Sequence, residues 1–390
     1  MSSLMREMGA KALRLGIPLS AHLDLTYRCN ERCVHCYLDH DDHGEMTLAE
    51  IKRLLDQLAE AGVFFLTLSG GEIFMRRDLF DIVEHGRQLS FCVKLKTNAV
   101  MIRKAKAERL AALGVDSVQV SVYSHRADVH DAITKLAGSF RRTVEGIRLL
   151  RESGIRVSVA NVLMKENEGD YRDVRALAAT LGADYTVDPT ITPMMDGERS
   201  TLGLNIDAAA LRDLMRDPAL VGDVDAFCAP PAGPLAEEDA LETLPCSAGH
   251  TACYISPYGD VYPCVQFPLP CGNVRRAPFQ EIWRDSPQFK DVRSITVHDL
   301  NGCSTCVHGG SCSRCPGARV HGGRHARPVT PGLREIVRAH GGGFAQPAPE
   351  EGSRCTARSC RPSRVARRRI EIPGFLAEPG ALKLRIAAIS

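Results

Sequence analysis

Two hydrophobic periods take turns along the chain. In "TLAEIKRLLDQLAEAG" (47–62) the apolar residues Leu48, Ile51, Leu54, Leu55 and Leu58 fall on one face of a helix. Thr47 and Glu50 are spaced as a capping box at its start, and Gly62 stands where it should stop. "VFFLTL" (63–68) changes period and reads as a buried strand. The cycle then repeats: a helix from Asp78 to Leu89, strand "FCVKLKT", helix 102–113, strand "SVQVSV" (117–122), helix 139–153, strand "IRVSVANVLM", helix 170–181 and strand "DYTVD". With "AHLDLTY" (21–27) as the first strand, this gives about six βα units, an α/β class with a parallel sheet and right-handed crossovers. That is too few for the closed eight-stranded barrel and enough for a partial one. In either architecture the loops at the carboxyl ends of the strands share one opening, so "TYRCNERCVHCYL" (26–38) and "SGGEIF" (69–74) face the same mouth.

The rhythm fails at both ends. Residues 1–20 read as an N-terminal extension before a core at 21–190. Residues 191–245, with "PTITPMMDGE" leading in, a short helical stretch at 207–216 and the Pro- and Ala-rich "CAPPAGPLAEEDA", read as a connecting segment. From 246 to 323 the chain is rich in Gly, Cys and Pro, with too few periodic apolar residues for a core of its own, so metal is expected to supply stability. Residues 324–390 carry 13 Lys plus Arg against 5 Asp plus Glu without amphipathic period, which reads as a basic, disordered tail.

Composition narrows the classes. A net charge of +2 argues against a protein that coats nucleic acid, and no run of eighteen apolar residues suggests a membrane span. The start "MSSLMREMGAKALRLGIPLS" lacks the apolar segment of a signal peptide, so a cytoplasmic protein is expected. Fifteen cysteines, an odd number in a reducing compartment, point to metal rather than disulfides. Cys92, in "FCVKLKT", reads as a buried small hydrophobe. Asp196 and Glu198 read as a solvated loop, and His125 and His130 as surface residues rather than substrate-facing acids.

Cys29, Cys33 and Cys36 lie at x3 and x2 spacing on the loop after the first strand. Three thiols leave one corner of a four-iron cube open. "CNERCVHC", with His35 before the last cysteine, resembles the motif of radical S-adenosylmethionine (SAM) enzymes, and Gly70, Gly71 and Glu72 form the "GGE" that this family places one unit later, against the methionine amine of SAM. The usual Pro after GGE is Ile73 here. The resemblance implies a partial (β/α)6 barrel over 21–190, with a 4Fe-4S cluster on the three cysteines and SAM on its open iron. One electron passed to the sulfonium would break the S–C5' bond and give a 5'-deoxyadenosyl radical that abstracts hydrogen from substrate. Asn98 and either Ser121 or Tyr123 end the third and fourth strands where the family contacts SAM; strand-end capping is the competing reading.

"CSAGHTACYISPYGDVYPC" and "CSTCVHGGSCSRC" alone suggest structural zinc. After a radical SAM core they resemble the SPASM extension with its one or two auxiliary iron-sulfur clusters, and "GNVRRAPFQEIWRDSPQF" resembles that extension's helix, packed through Trp283. Carried over by position, Cys246, Cys253, Cys264 and Cys315 would hold the first auxiliary cluster, and Cys303, Cys306, Cys312 and a further cysteine the second; Cys271 stays unassigned. Back-translation of "RHARPVTPGLREI" in a frame displaced by one base gives a segment resembling the family's terminal ligand, so a frameshift near Gly323 is expected; otherwise Cys355 is the remaining ligand. The SPASM-bearing branch implies oxidative modification of a peptide or protein, of PqqE or ribosomal-peptide maturase type. A separate PqqD-like leader-binding protein and an external electron donor of flavodoxin or ferredoxin type would be partners. The competing readings are a radical SAM enzyme of haem-type cofactor biosynthesis and a non-enzymatic zinc or electron-transfer protein.

Overall fold

A computed structural model describes residues 3–225, 244–296 and 299. Helix α1 (Ser3–Leu15) occupies what the sequence offers only as an extension. The predicted alternation then follows: β1 (Ser20–Asp24), α2 (Leu48–Glu60), β2 (Phe65–Ser69), α3 (Leu79–Gln88), β3 (Cys92–Thr97), α4 (Lys104–Ala112), β4 (Ser117–Ser121), α5 (Ala127–Thr134), α6 (Ser139–Glu152), β5 (Arg156–Val162), α7 (Tyr171–Thr180) and β6 (Asp184–Asp188). Strands β1 to β6 are parallel neighbours in sequence order, the open-sided barrel that the six units predict.

The local signals work as read. Glu50 N–H donates to Thr47 Oγ1 (3.3 Å) and Thr47 N–H to Glu50 Oε2 (2.8 Å), closing the capping box. Ile51, Leu54, Leu55 and Leu58 of α2 are buried. The strands are less uniform than a buried reading suggests. Leu66 and Leu68 of β2 enter the core beneath the helices, while Thr67 and Ser69 turn inward to the barrel cavity, because successive side chains take opposite faces.

Two expectations need correction. The segment at 191–245 is more than a connection in its described part: α8 (Ala208–Leu214) and α9 (Pro218–Val221) bury Leu214 and Leu220 in the main core. Tyr171 hydroxyl and Arg172 Nε both donate to Asp217 (2.6 and 2.9 Å).

The segment from 246 also has a core, which it shares. Strand β7 (Ala252–Ile255) pairs in parallel with β1 and extends the barrel sheet; β8 (Asp260–Tyr262) and β9 (Gly272–Asn273) continue it antiparallel to nine strands. Helices α10 (Phe279–Asp285) and α11 (Pro287–Arg293) add Phe279, Ile282, Trp283 and Phe289 to the main cluster. Trp283 is the packing residue expected. It stacks against Phe279 and meets Phe289 edge-to-face, and its Nε1–H donates to Gly16 O (2.6 Å) just beyond α1. For these described residues, apolar burial against the barrel is a source of stability that the sequence reading did not expect.

Candidate active site

The three cysteines of the first loop converge on one cavity of about 560 Å³ inside the barrel. The chain reaches them by a close backbone approach. Gly71 N–H donates to Thr26 O (2.8 Å) and Glu72 N–H to Arg28 O (3.0 Å), so the turn after β2 lies directly on the start of the cysteine loop. A Cβ on Gly71 would stand 2.5 Å from Arg28 O and 2.6 Å from Tyr27 O, and Gly70 holds φ +132 against Thr26. Only glycine fits both positions.

Gly70 and Gly71 line the cavity. Glu72 does not: its carboxylate is fully buried in the wall, accepting from Thr97 Oγ1 (2.7 Å), Asn98 N–H (2.9 Å) and Phe74 N–H (3.0 Å). Burial pushes this carboxyl above its ordinary range, and the hydrogen bonds oppose that. The glutamate expected to meet SAM therefore ties the ends of β2 and β3 together. It positions Asn98, which lines the cavity together with both Ser121 and Tyr123. Asn98 Nδ2 donates to Asn30 Oδ1 (2.9 Å) and stands 3.9 Å from Cys29 Sγ. Ile73, where the family has Pro, is buried and opens a short 3-10 turn capped by Glu72.

The other side of the cysteine loop rests on α5, an element the sequence reading passed over. Arg32 N–H donates to Thr134 O and Val34 N–H to Ile133 O, both at 3.0 Å. Val129 and Ile133, four residues apart on α5, pack with Cys33, Val34 and Tyr123 in a small apolar cluster under the loop. That i, i+4 pair was the available signal. His130, read as a surface residue, is 1% exposed; its Nδ1 accepts from Tyr123 N–H (3.2 Å), and burial lowers its pKa to about 4. His125 faces Asp173 at 3.9 Å at the outer edge.

Donors and burial fit an iron-sulfur cluster with a bound polar cofactor. Burial pushes the Cys29 thiol up to about 12 and Cys33 and Cys36 upward too, so a metal is needed to ionise them. Among the described residues no three Cys, His, Asp or Glu groups converge on a single ion. A cube asks instead for thiolates spread over its corners, one per iron. Asn30 Nδ2, Glu31 Oε1 and His35 Nδ1 are buried beside the thiols without partners in the protein, polar atoms that a ligand would satisfy. Glu31 is lifted to about 7 by burial, and His35, edge-on to Tyr123 at 4.8 Å, is lowered to about 4.

The auxiliary cysteines divide. Cys246 and Cys264 line the same cavity. Cys253, assigned by resemblance to the same cluster, faces the other way. On β7, Tyr254 turns inward and donates to Asp24 Oδ2 (2.9 Å), so Cys253 one residue earlier lies in the core with Ala21 and Leu23. Cys271 is buried in that core too. Cys92 is another correction: first on β3 and facing as Lys94 does, it is half-buried rather than core. Cys303, Cys306, Cys312, Cys315, Cys355 and the expected frameshift lie outside the described residues.

Comparison with known proteins agrees. Residues 23–178 match the Radical SAM superfamily, and residues 246–316 match SPASM, an iron-sulfur cluster-binding domain. The AdoMet-dependent heme synthase of Methanosarcina barkeri is 29% identical, over 75% of this chain and 89% of that protein. The mycofactocin maturase MftC of Mycobacterium ulcerans is 32% identical, over 76% and 82%. Streptococcus suis SuiB, solved with S-adenosylmethionine, superposes with a TM-score of 0.64 at 20% identity, over 83% of this chain and 79% of that one; SuiB has also been solved with its precursor peptide SuiA. The chain is therefore a SPASM-bearing member of the radical SAM superfamily.

Proposed function

We propose that this enzyme oxidatively modifies a peptide, drawing on a SAM-binding 4Fe-4S cluster at Cys29, Cys33 and Cys36. The observation that carries the reading is the single cavity reached by the three loop cysteines at its mouth and by Cys246 and Cys264 from the auxiliary segment. A substrate held there lies between a site that removes a hydrogen atom and a site able to take up the electron left behind. The bound cluster and SAM supply the one-electron chemistry. The chain's part is to place Gly70, Gly71, Asn98 and Ser121 around them and to exclude water with the apolar patch of Tyr123, Val162 and Ile191.

The peptide substrate is supported by the maturase among the relatives. Each SAM cleaved needs an electron, so a flavodoxin- or ferredoxin-type donor belongs to the reading, as does a PqqD-like protein presenting a leader. No helix of the described residues is long and apolar enough to cross a membrane; a reducing cytoplasm suits the thiols. The heme synthase relatives support a second reading, a small-molecule substrate. Anaerobic reconstitution with iron and sulfide, then reductant and SAM, should give 5'-deoxyadenosine. Added short open reading frames from the neighbouring genes, expressed as peptides, should emerge lighter by the hydrogens removed. Bound zinc with no 5'-deoxyadenosine would end both enzyme readings. Turnover on a tetrapyrrole and on no peptide would select the second.

A further inference from the structure

The inner face of the barrel carries a row of hydrogen-bond donors that the cysteine site does not use. Leu68 pairs with Leu95 across β2 and β3, which sets Ser69 beside Lys96; Lys96 pairs across to Gln119 on β4, and Gln119 to Ser158 on β5. All four side chains line the cavity. Adjacent strands lie about 4.8 Å apart, so the Lys96 ammonium and the Gln119 amide can reach one bound group. Among the described residues neither the Lys96 ammonium nor the Gln119 amide has a hydrogen-bond or ion-pair partner.

An ammonium drawn into a cavity loses hydration and, without acceptors, recovers none of it. Burial accordingly lowers the pKa of Lys96, while Asp24 and Asp188 oppose that from a distance. Neither carboxylate bonds to it. Asp24 is engaged by His22 Nε2 (3.1 Å) and the Tyr254 hydroxyl (2.9 Å), and Asp188 Oδ1 accepts from Thr190 N–H (2.9 Å). The acids thus favour the charged lysine and leave all its N–H donors for a ligand.

Depth adds a second constraint. Lys96 precedes by two residues Asn98, whose amide stands beside Cys29. A strand rise of about 3.3 Å per residue puts the donor row roughly 7 Å deeper than the cysteine level. A substrate group lying beyond a cofactor at the mouth would occupy that depth.

We propose that Lys96, with Gln119 beside it, binds a carboxylate of the substrate peptide inside the barrel, either the C-terminal carboxylate or that of an Asp or Glu side chain. The proposal rests on the peptide reading above. A carboxylate is the acceptor-only group whose two oxygens meet an ammonium and an amide at once, with Ser69 and Ser158 at hand for the remaining lone pairs. A neutral amide or apolar group there would leave the lysine unpaired.

The test uses the reconstituted full-length enzyme with SAM, under anaerobic conditions without reductant, and three pools of random hexapeptides. One has free C-termini and no acidic residues, one is amidated with Asp or Glu, and one is amidated without acids; peptides retained by the protein are quantified by mass spectrometry. The wild type should retain one acid-bearing pool over the neutral pool by about tenfold or more, as expected for a charge-assisted hydrogen bond, and the pool retained tells which carboxylate is read. Lys96→Met should abolish that preference and Lys96→Arg should keep much of it, while both bind SAM as the wild type does in equilibrium dialysis. Preference that survives Lys96→Met overturns the proposal. So does a large loss of SAM binding in Lys96→Met, which would assign the lysine to the carboxylate of SAM. Wild-type protein that cleaves SAM on reduction yet retains no pool breaks the peptide reading and this proposal with it; retention without acid preference breaks this proposal alone.

Discussion

The cysteine loop at 29–36 and the auxiliary segment at 246–271 place their thiols under different rules. On the loop, spacing decides: x3 and x2 bring Cys29, Cys33 and Cys36 to one wall because the backbone between them follows no pleat, pinned instead by Gly71, Glu72 and the end of α5. In the auxiliary segment parity decides. Cys253 sits on a strand whose partner residues alternate between cavity and core, and it falls on the core side. A ligand spacing is therefore informative on a loop, and on a strand it must be read together with which face each residue takes.

The largest effect expected from that contrast is at the loop. Cys33→Ala should eliminate 5'-deoxyadenosine formation while the auxiliary absorbance and its iron remain. Next comes a pair of variants within the auxiliary segment. Cys264→Ala should lower bound iron by up to about four per chain, the content of one cluster. Cys253→Ala should leave the iron unchanged and lower stability by about 1 kcal/mol for a small buried side chain. Equal iron loss from both would show that strand parity does not govern this site.

A smaller effect concerns how the two regions are joined. Trp283 lies in the core shared by barrel and auxiliary segment and bonds to Gly16 O beyond α1. Trp283→Ala should cost about 3–5 kcal/mol, and Trp283→Phe, which mainly loses the Nε1–H bond, about 1 kcal/mol. In denaturant unfolding both variants should shift one transition. A separate early transition for the auxiliary residues, with the barrel unmoved, would mean that the shared core does not couple them.

These differences also mark how far the sequence could be read. The six parallel strands and α2 with its caps follow from period and spacing, because each signal is local. The (67, 69), (94, 96) and (117, 119, 121) positions hold the polar half of a period-two alternation that is visible in "LTLS", "VKLKT" and "SVQVS". Taken as uniformly buried strands, they conceal the polar cavity, where the proposed carboxylate site lies. Glu72 is recognisable by its motif, but its inward hydrogen bonds to Thr97 and Asn98 depend on a strand 25 residues away. The pairing of β7 with β1 is further from local reading still: it joins residues 20–23 to 252–255, and a strand of only four residues announces a neighbour only once the sheet edge it completes is known.

The smallest predicted effect compares the regions through one buried histidine in each. His130 under the cysteine loop and His250 in the auxiliary segment both have pKa values lowered from 6.5 to about 4, burial being the main cause in each. A group depressed in the folded state stabilises above its unfolded pKa, since there both states carry it neutral. Below that value the unfolded chain takes up a proton that the folded chain refuses. Stability should therefore hold above pH 6.5 and fall as pH drops toward 4, measured as a declining denaturant midpoint. The two sites differ in their neighbours. Asp131 favours protonation of His130, whereas Arg293, which also stacks on Trp283, opposes protonation of His250. His250→Phe and His130→Phe should nevertheless flatten the acid limb to about the same extent, because both imidazoles stand near 4 with those charges in place. Flattening by one variant and not by the other would show that the charges beside the two imidazoles, Asp131 and Arg293, outweigh the burial that they share.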